Sequence, residues 1–270
     1  MYSYFLYCLR IRYKMIFYKK ITVIILSFIV CVHCFPHSFF LFENFANVAT
    51  KSEVVKDILI DDSNDTLNSN IKIGDYVRFG RYYDIDDEET VKKVPIVWKV
   101  LDIKDGYCLL LSKDILKTMP YNYSWSPTNW KESNIRLWLN YDFYESAFDK
   151  KEQELIKQVF TENVGNYAFN LRQDYKTSDR LFLLSIEEVK KYNSYDNNYI
   201  TLGTKYAIKE GLWISKYLSS VGYSVWWLRS PGRSTSYAAI MHADGSIGLG
   251  GDGVATTGNG VRPSMWVKLD

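Results

Sequence analysis

Cysteine and histidine are scarce in this sequence. The 270 residues include 4 Cys and 3 His, and three of the cysteines (Cys8, Cys31 and Cys34) lie within the first 50 residues. Only Cys108 remains beyond them, so an intradomain disulfide is excluded and stability must come from an apolar core. Cys108 lies in the apolar run YCLLLS at 107–112, which predicts a small buried side chain in a strand.

The shortage of histidine excludes several kinds of catalytic site. Beyond the first 50 residues only His242 remains, so a zinc site with several His and Cys ligands is excluded, and a Ser-His-Asp triad would have to use this one residue. His242 alternates with Met241 and Ala243 just before a turn, which predicts an exposed position on a hairpin. The glycine-rich segment 250–260 lacks the Lys-Ser/Thr and the helix of a P-loop. No cofactor is expected from these residues.

Basic charge is also scarce once the N-terminus is set aside. The formal net charge is +2, but residues 1–50 contain five basic residues and one acid, so the remainder holds 28 basic and 30 acidic residues. A nucleic-acid-binding protein is expected to concentrate basic charge on its folded part. The sequence therefore argues against a nucleic-acid partner.

An uncharged apolar segment covers residues 21–42 and follows Lys19 and Lys20 directly. Its length suits a signal peptide or a transmembrane anchor, and the basic region 1–20 is expected to stay on the cytoplasmic side. The nearest candidate cleavage site is ANVA at 46–49. The domain is therefore expected outside the cell membrane, either anchored or secreted after cleavage, with the uncleaved anchor favoured.

Residues 43–70 are polar and are interpreted as a spacer before a folded domain at 71–270. That domain opens with alternating apolar and polar residues at 71–80, which is typical of a half-buried strand. Two further strands are predicted at 94–103 and 107–111, because the Asp-Gly pair between them is a hairpin signal.

The middle of the domain is predicted to be helical, and strands return at its end. Capping boxes at 149–152 and 185–188 each predict a short helix. A late strand at 224–230, a hairpin around Asp244-Gly245 and a last strand at 261–269 follow. Strands at both ends with helices between them indicate an α+β domain, in which a mixed or antiparallel sheet joins both ends.

Several phrases of the sequence occur in a recognisable order. They are NIRLWLN at 134–140, FLLSIEE at 182–188, WWLRSPG at 226–232, DGS at 244–246 and GVRPSMW at 260–266. Together they resemble a large bacterial family of uncharacterised extracytoplasmic domains, from about residue 71 to the C-terminus. That family is in turn similar to the C-type-lectin-like and formylglycine-generating-enzyme superfold.

The resemblance implies a C-type-lectin-like fold, in which a late Trp-rich strand, a hairpin and a terminal Gly-x-Arg strand pack together. It implies structural roles for Trp138, Trp226, Pro231, Gly232, Gly260, Arg262, Pro263 and Trp266. The superfold also contains oxidases, which need a pair of thiols. The single cysteine of the domain, Cys108, excludes that activity.

Trp226 and Trp227 are adjacent in a predicted strand, so their side chains point to opposite faces. One ring is expected in the core, and the other is a candidate for stacking on a sugar ring or a partner side chain. Arg229 has the same orientation as Trp227 and either contacts a ligand or binds buried carbonyls and carboxylates. The expected ligand-binding residues are Trp227, Arg229, Tyr237, His242, Asp244, Asp252 and Asn259.

Three of these residues, Asp244, Asp252 and Asn259, have the oxygen ligands that calcium prefers. The spacing of a known calcium loop is absent, and turn chemistry explains both Asp-Gly pairs. Calcium is therefore only an alternative at this loop.

The sequence favours an extracytoplasmic binding module, for a carbohydrate or a protein ligand, over an enzyme. An enzyme that acts on cell-envelope glycans through paired carboxylates is the alternative, because acidic residues are plentiful and the distances between them are not visible in a sequence. A structural or interaction domain without a small ligand is a third interpretation. In each case residues 21–42 are expected to contact the membrane.

Overall fold

The computed structural model describes residues 55–57, 70–192, 199–216 and 223–269. The predicted basic N-terminus (1–20) and the predicted signal peptide or anchor (21–42) lie outside the described residues. Among the residues that are described, no helix is both long enough and apolar enough to cross a membrane.

The described part of the chain contains many strands and a few short helices. The strands are β1 (Val55–Asp57), β2 (Tyr76–Ile85), β3 (Val91–Lys104), β4 (Tyr107–Ser112), β5 (Lys117–Thr118), β6 (Val159–Asn166), β7 (Leu171–Asp179), β8 (Leu181–Phe182), β9 (Trp226–Pro231), β10 (Tyr237–Met241), β11 (Ile247–Gly253), β12 (Gly260–Val261) and β13 (Ser264–Lys268). The α-helices are α1 (Asn134–Trp138), α2 (Tyr144–Ala147), α3 (Lys150–Leu155), α4 (Ile186–Tyr192) and α5 (Lys205–Lys209). A π-helical turn (Leu139–Phe143) joins α1 to α2, and a 3-10 turn (Tyr167–Phe169) joins β6 to β7. The predicted α+β class is confirmed.

The strands form two larger sheets and one two-stranded ribbon. The six-stranded sheet has the order β1-β2-β3-β4-β13-β8, the five-stranded sheet has the order β11-β10-β9-β12-β5, and β6 pairs with β7. Pairing is antiparallel except between β1 and β2 and between β9 and β12. Because β2 and β13 lie in the same sheet, the expectation that both ends of the domain meet in one sheet is confirmed.

Local turn and cap signals are confirmed. Asp105 and Gly106 have the positive φ values of a tight turn, 53° and 75°, between β3 and β4. The Asp244-Gly245 turn connects β10 and β11. Asp149 caps α3 with a complete capping box. The three signals share one property: their geometry depends on residues within a few positions of one another.

The first and last predicted strands need correction. Residues 71–75 form a turn in which the Asp75 carboxylate accepts a hydrogen bond from the Lys72 amide, so the strand begins at Tyr76 and continues to Ile85. The predicted strand 261–269 is two strands in different sheets. Pro263 has no N–H for a ladder, and it lies where the chain leaves β12 for β13.

Several strands lie where none was predicted, including the two-residue strands β5 and β8. β1 falls inside the segment interpreted as a spacer and pairs with the start of β2. Exposure alternates along both strands of the β6–β7 ribbon, but several of the buried side chains are polar (Thr161, Asn163 and Thr177). The sequence therefore lacks the apolar alternation that marks a half-buried strand.

The core packs around four fully buried tryptophans, and each indole N–H has an acceptor. Trp98 donates to the Phe79 carbonyl (2.7 Å). Trp226, Trp227 and Trp130 donate to the Tyr199 carbonyl, the Met119 carbonyl and the Asp179 carboxylate. Cys108 is fully buried in β4, as predicted, and burial raises the pKa of its thiol to about 12. This thiol is therefore a packing group at neutral pH.

Candidate functional site

The two adjacent tryptophans of β9 both lie in the core. The exposed fraction of Trp226 and of Trp227 is 0%. The expectation that one ring would be exposed for stacking is therefore wrong. The reason is tertiary: β9 is an interior strand of the five-stranded sheet, between β10 and β12, and both of its faces are covered.

Arg229 is also buried, and its guanidinium is held by protein groups. Its Nη1 donates to the Leu183 carbonyl (2.8 Å), and its Nη2 donates to the Glu162 carbonyl (3.1 Å). Both nitrogens also bind the carboxylate of Glu188, with Nη2 at 2.9 Å from Oε1. Of the two roles expected for this residue, the structure favours the one in which it binds buried carbonyls and a carboxylate.

Glu188 connects this arginine to helix α4. The Ser185 amide donates to the Glu188 carboxylate (2.8 Å), and the Glu188 amide donates to the Ser185 hydroxyl (3.1 Å). These two bonds are the predicted capping box. Burial by itself would raise the pKa of Glu188, but the charge of Arg229 and the hydrogen bonds from Arg229 and Ser185 outweigh it and lower the pKa below its usual value. Glu188 is therefore an ionised structural carboxylate.

The remaining candidate residues lie at two separate ends of the β10–β11 hairpin. Tyr237 pairs with Gly253 and Ala238 pairs with Asp252 at one end, whereas Met241 pairs with Ile247 at the other. His242 follows Met241 and is exposed, as predicted. At about 3.3 Å per residue, the two ends are ~10 Å or more apart. The structure therefore does not bring the seven expected ligand-binding residues together.

The three candidate calcium ligands are divided in the same way. The Asn259 amide donates to the Asp252 carboxylate (2.9 Å), so these two residues are in contact. Asp244 is at the opposite end, where its carboxylate accepts hydrogen bonds from the Ser246 amide (2.9 Å) and hydroxyl (2.7 Å). These bonds lower the pKa of Asp244 and account for its place in the turn. No group of three or more His, Cys, Asp or Glu side chains that could hold a metal ion occurs in the described ranges.

Tyr237 belongs to a different cluster, which begins with Trp125. The Trp125 ring is 59% exposed and meets the Tyr237 ring edge-to-face, with ring centroids 5.7 Å apart. It lies against the backbone of Gly253, the residue paired with Tyr237. A Cβ at Gly253 would be 2.0 Å from the Trp125 ring. The absence of a side chain at this position is therefore what allows the ring to lie on the hairpin.

Arg233 also contacts Tyr237. Its guanidinium carbon is 4.0 Å from the centroid of the Tyr237 ring, and its Nη2 donates to the Tyr237 hydroxyl (2.5 Å). Its backbone amide donates to the Gly250 carbonyl (2.9 Å). Phe169 approaches the same place, because a Cβ at Gly250 would be 3.7 Å from the tip of its ring. We call Trp125, Phe169, Arg233 and Tyr237 the aromatic surface.

Two loops rich in hydroxyl groups carry this surface. They are YSWS at 123–126 and RSTSY at 233–237, which combine aromatic or arginine residues with Ser and Thr. The Thr128 amide donates to the Thr235 carbonyl (2.9 Å) and ties the two segments together. The tip of the β6–β7 ribbon is held nearby by Asn166, whose amide donates to the carbonyls of Pro231 (3.0 Å) and Leu249 (2.8 Å). The surface is thus positioned by backbone contacts of three chain segments.

Comparison with known proteins places this chain in a family. Residues 105–269 match the family described as Domain of unknown function (DUF6273). The chain belongs to this family. The expected resemblance to a family of uncharacterised domains is thereby confirmed over 105–269. No match was found among the curated proteins or among the solved structures.

The DUF6273 region includes all the residues with expected structural roles. Arg262 is buried, its Nε donates to the Ser112 carbonyl (2.7 Å), and burial lowers its pKa to about 10. Gly232 and Gly260 allow close packing, because a Cβ at either position would lie 2.5 Å from a neighbouring atom. The others, Trp138, Trp226, Pro231, Pro263 and Trp266, are all buried or half-buried.

A cleft of about 380 Å³ lies beside Arg229 and contains several carboxylates of the DUF6273 region. Glu162 forms an ion pair with Lys176 (2.9 Å), and Glu187 forms one with Lys190 (2.9 Å). The third carboxylate, that of Glu188, is bound by Arg229 and has a lowered pKa. A general acid needs a raised pKa at neutral pH, so Glu188 is not suited to that role.

Sequence reasoning found Tyr237 but missed the rest of the aromatic surface. Trp125, Phe169 and Arg233 come from three segments of the DUF6273 region that are far apart in the chain. The available signal was the presence of aromatic or arginine residues together with hydroxyl residues in YSWS and RSTSY. That composition is common to both segments, although it does not show that they meet.

Proposed function

We propose that this chain is an extracytoplasmic ligand-binding module, and that it binds a carbohydrate or a surface protein through the aromatic surface. The observation that carries the proposal is the half-exposed Trp125 ring beside Tyr237 and the exposed Arg233. Trp, Tyr and Arg are the residues that contribute most binding energy in known interfaces. Here they lie together on backbone-anchored loops, so little ordering is needed when a ligand binds.

The proposal includes a C-type-lectin-like fold and export through residues 21–42, either as a retained anchor or as a cleaved signal. The strand-rich ends joined in one sheet and the late hairpin support the fold. The uncharged segment after Lys19 and Lys20 supports export.

The two alternatives have less support. An enzyme acting on cell-envelope glycans would need a carboxylate free to act as a general acid, and the carboxylates beside Arg229 are held in ion pairs. A structural domain without a ligand would leave the exposure of Trp125 without a role.

A glycan array and a cell-wall pulldown with the full-length protein test the proposal. Because of the uncharged segment 21–42, the protein is kept in detergent. We expect bound glycan or wall material to be lost in Trp125→Ala, with affinity reduced about tenfold or more, as for an interface residue of this type. The matched control is Tyr141→Ala, since Tyr141 is similarly exposed (67%) and lies on the π-helical turn.

Two results of these experiments would contradict the proposal. Binding that survives Trp125→Ala but is lost in Tyr141→Ala would move the site to the π-helical turn and overturn the assignment. Absence of binding to every glycan and to wall material would favour the structural interpretation.

A further inference from the structure

Arg233 is an exposed cation that the protein holds in place without neutralising it. Its guanidinium rests on the Tyr237 ring, and one Nη2–H is used by the Tyr237 hydroxyl. Within the described residues it forms no ion pair. The acid nearest in the hairpin pairing, Asp252, instead accepts a hydrogen bond from Asn259. Arg233 therefore retains its full charge and most of its five N–H donors for a group outside the chain.

The geometry of this cation suits a carboxylate. A guanidinium presents parallel N–H donors in one plane, which match the two oxygens of a carboxylate. Stacking on Tyr237 fixes the orientation of that plane before any ligand arrives. A side chain that is already oriented loses less conformational entropy on binding.

We propose that Arg233 binds the carboxylate of an acidic sugar while the sugar ring contacts Trp125 and Tyr237. This inference rests on the proposed function and names its ligand class. The site would take oligosaccharides with uronic acid or another carboxylate-bearing sugar, and it would discriminate against their neutral forms.

The composition around the rings favours a sugar over a protein partner. The side-chain hydroxyls of Ser124, Ser126 and Thr235 make no hydrogen bond within the described part of the chain, and these residues lie within two positions of Trp125 or Tyr237 in the sequence. A hot spot for a protein partner is usually surrounded by contacts that exclude water. Free hydroxyls beside aromatic rings instead offer hydrogen-bond partners to a ligand rich in hydroxyl groups.

The test compares acidic sugars with the same sugars after the charge is removed. The full-length protein in detergent is titrated with trigalacturonic acid and with its methyl ester, and an array adds muramic acid and sialic acid in both forms. We expect binding of at least one acidic form, about tenfold weaker binding of its ester, and a loss of affinity as salt concentration rises.

Variants at Arg233 and at a control arginine test whether Arg233 is responsible for the preference for the acidic form. Arg233→Gln should reduce the affinity for the acidic form about tenfold and leave the affinity for the ester unchanged. Arg233→Lys keeps the charge but not the planar pair of donors, so its affinity should lie between those of the wild type and Arg233→Gln. Arg81→Gln is the matched control, because Arg81 is exposed in the six-stranded sheet.

The outcomes separate this inference from the proposed function. Equal binding of acid and ester, or equal effects of Arg233→Gln on both, would overturn the inference and leave a glycan-binding module. A glutamate-rich peptide is titrated alongside the sugars, and binding of this peptide but of no sugar would overturn the sugar assignment. Absence of binding to any glycan, peptide or wall material would overturn both.

Discussion

Arg229 and Arg233 are four residues apart in the chain and have opposite surroundings. Arg229 is 4% exposed and binds the Glu188 carboxylate and two backbone carbonyls. Arg233 is exposed and contacts mainly the ring and hydroxyl of Tyr237. The turn at Pro231-Gly232 separates them, because the chain leaves the interior of the five-stranded sheet at this point. The same residue type therefore stabilises the fold at one position and is available to a ligand at the other.

The largest loss of unfolding free energy is expected from replacing the buried Arg229. Arg229→Met leaves the Glu188 carboxylate without its cation and removes the donors to Leu183 and Glu162. Breaking one partner of a buried ion pair costs about 3–5 kcal/mol of unfolding free energy. Urea unfolding at neutral pH measures this loss.

Arg233→Met is the control for that comparison. A surface substitution of this kind changes stability by about 0.5 kcal/mol or less. Equal losses in the two variants would show that the two arginines do not differ as described.

A moderate loss of unfolding free energy is expected from a substitution at Gly253, which lies beneath Trp125 in the aromatic surface. In Gly253→Ala the new methyl group would occupy the position of the Trp125 ring, so the ring must leave Tyr237. We expect a loss of about 1 kcal/mol, since an aromatic pair contributes about this much. The indole N–H resonance of Trp125 should also shift.

Gly250→Ala is the matched variant in the same strand. Its methyl group would meet only the tip of Phe169, at an ordinary contact distance of 3.7 Å. A Trp125 resonance that moves as far in Gly250→Ala as in Gly253→Ala would contradict the packing of the ring on Gly253.

The smallest effect is expected in the pH dependence of stability. The folded-state pKa of Glu188 lies below its ordinary value of 4.5. The Glu188 carboxylate therefore binds a proton more readily in the unfolded chain than in the folded one. The stabilisation is therefore complete above pH 4.5 and is lost as the pH falls through the folded-state pKa. We expect the wild type to lose stability more steeply than Glu188→Gln in that acidic range, as measured by unfolding midpoints. If the unfolding midpoints of the wild type and Glu188→Gln fell equally with decreasing pH, Glu188 would not be ionised in the folded protein.

The effect is small because 27% of the Glu188 side chain remains exposed to water. Water then solvates part of its charge in the folded state as well as in the unfolded state.

The recognisable phrases of the sequence contain more residues of the core than of the exposed surface. WWLRSPG contains two of the seven expected ligand-binding residues, Trp227 and Arg229, and the structure buries both. Such phrases mark positions where packing tolerates few side chains. The exposed residues that form the aromatic surface belong to loops, and loops more often contain binding residues than the core does.

The sequence by itself determined the α+β class, both Asp-Gly hairpins and the two capping boxes. Each of these depends on hydrogen bonds and backbone angles within a few residues, so local composition is sufficient. Only the tertiary structure decided that both faces of β9 are covered, that the capping residue Glu188 binds Arg229, and that Trp125 lies on Gly253. Those contacts join residues that are far apart in the chain, and they form only when separate elements pack into one core.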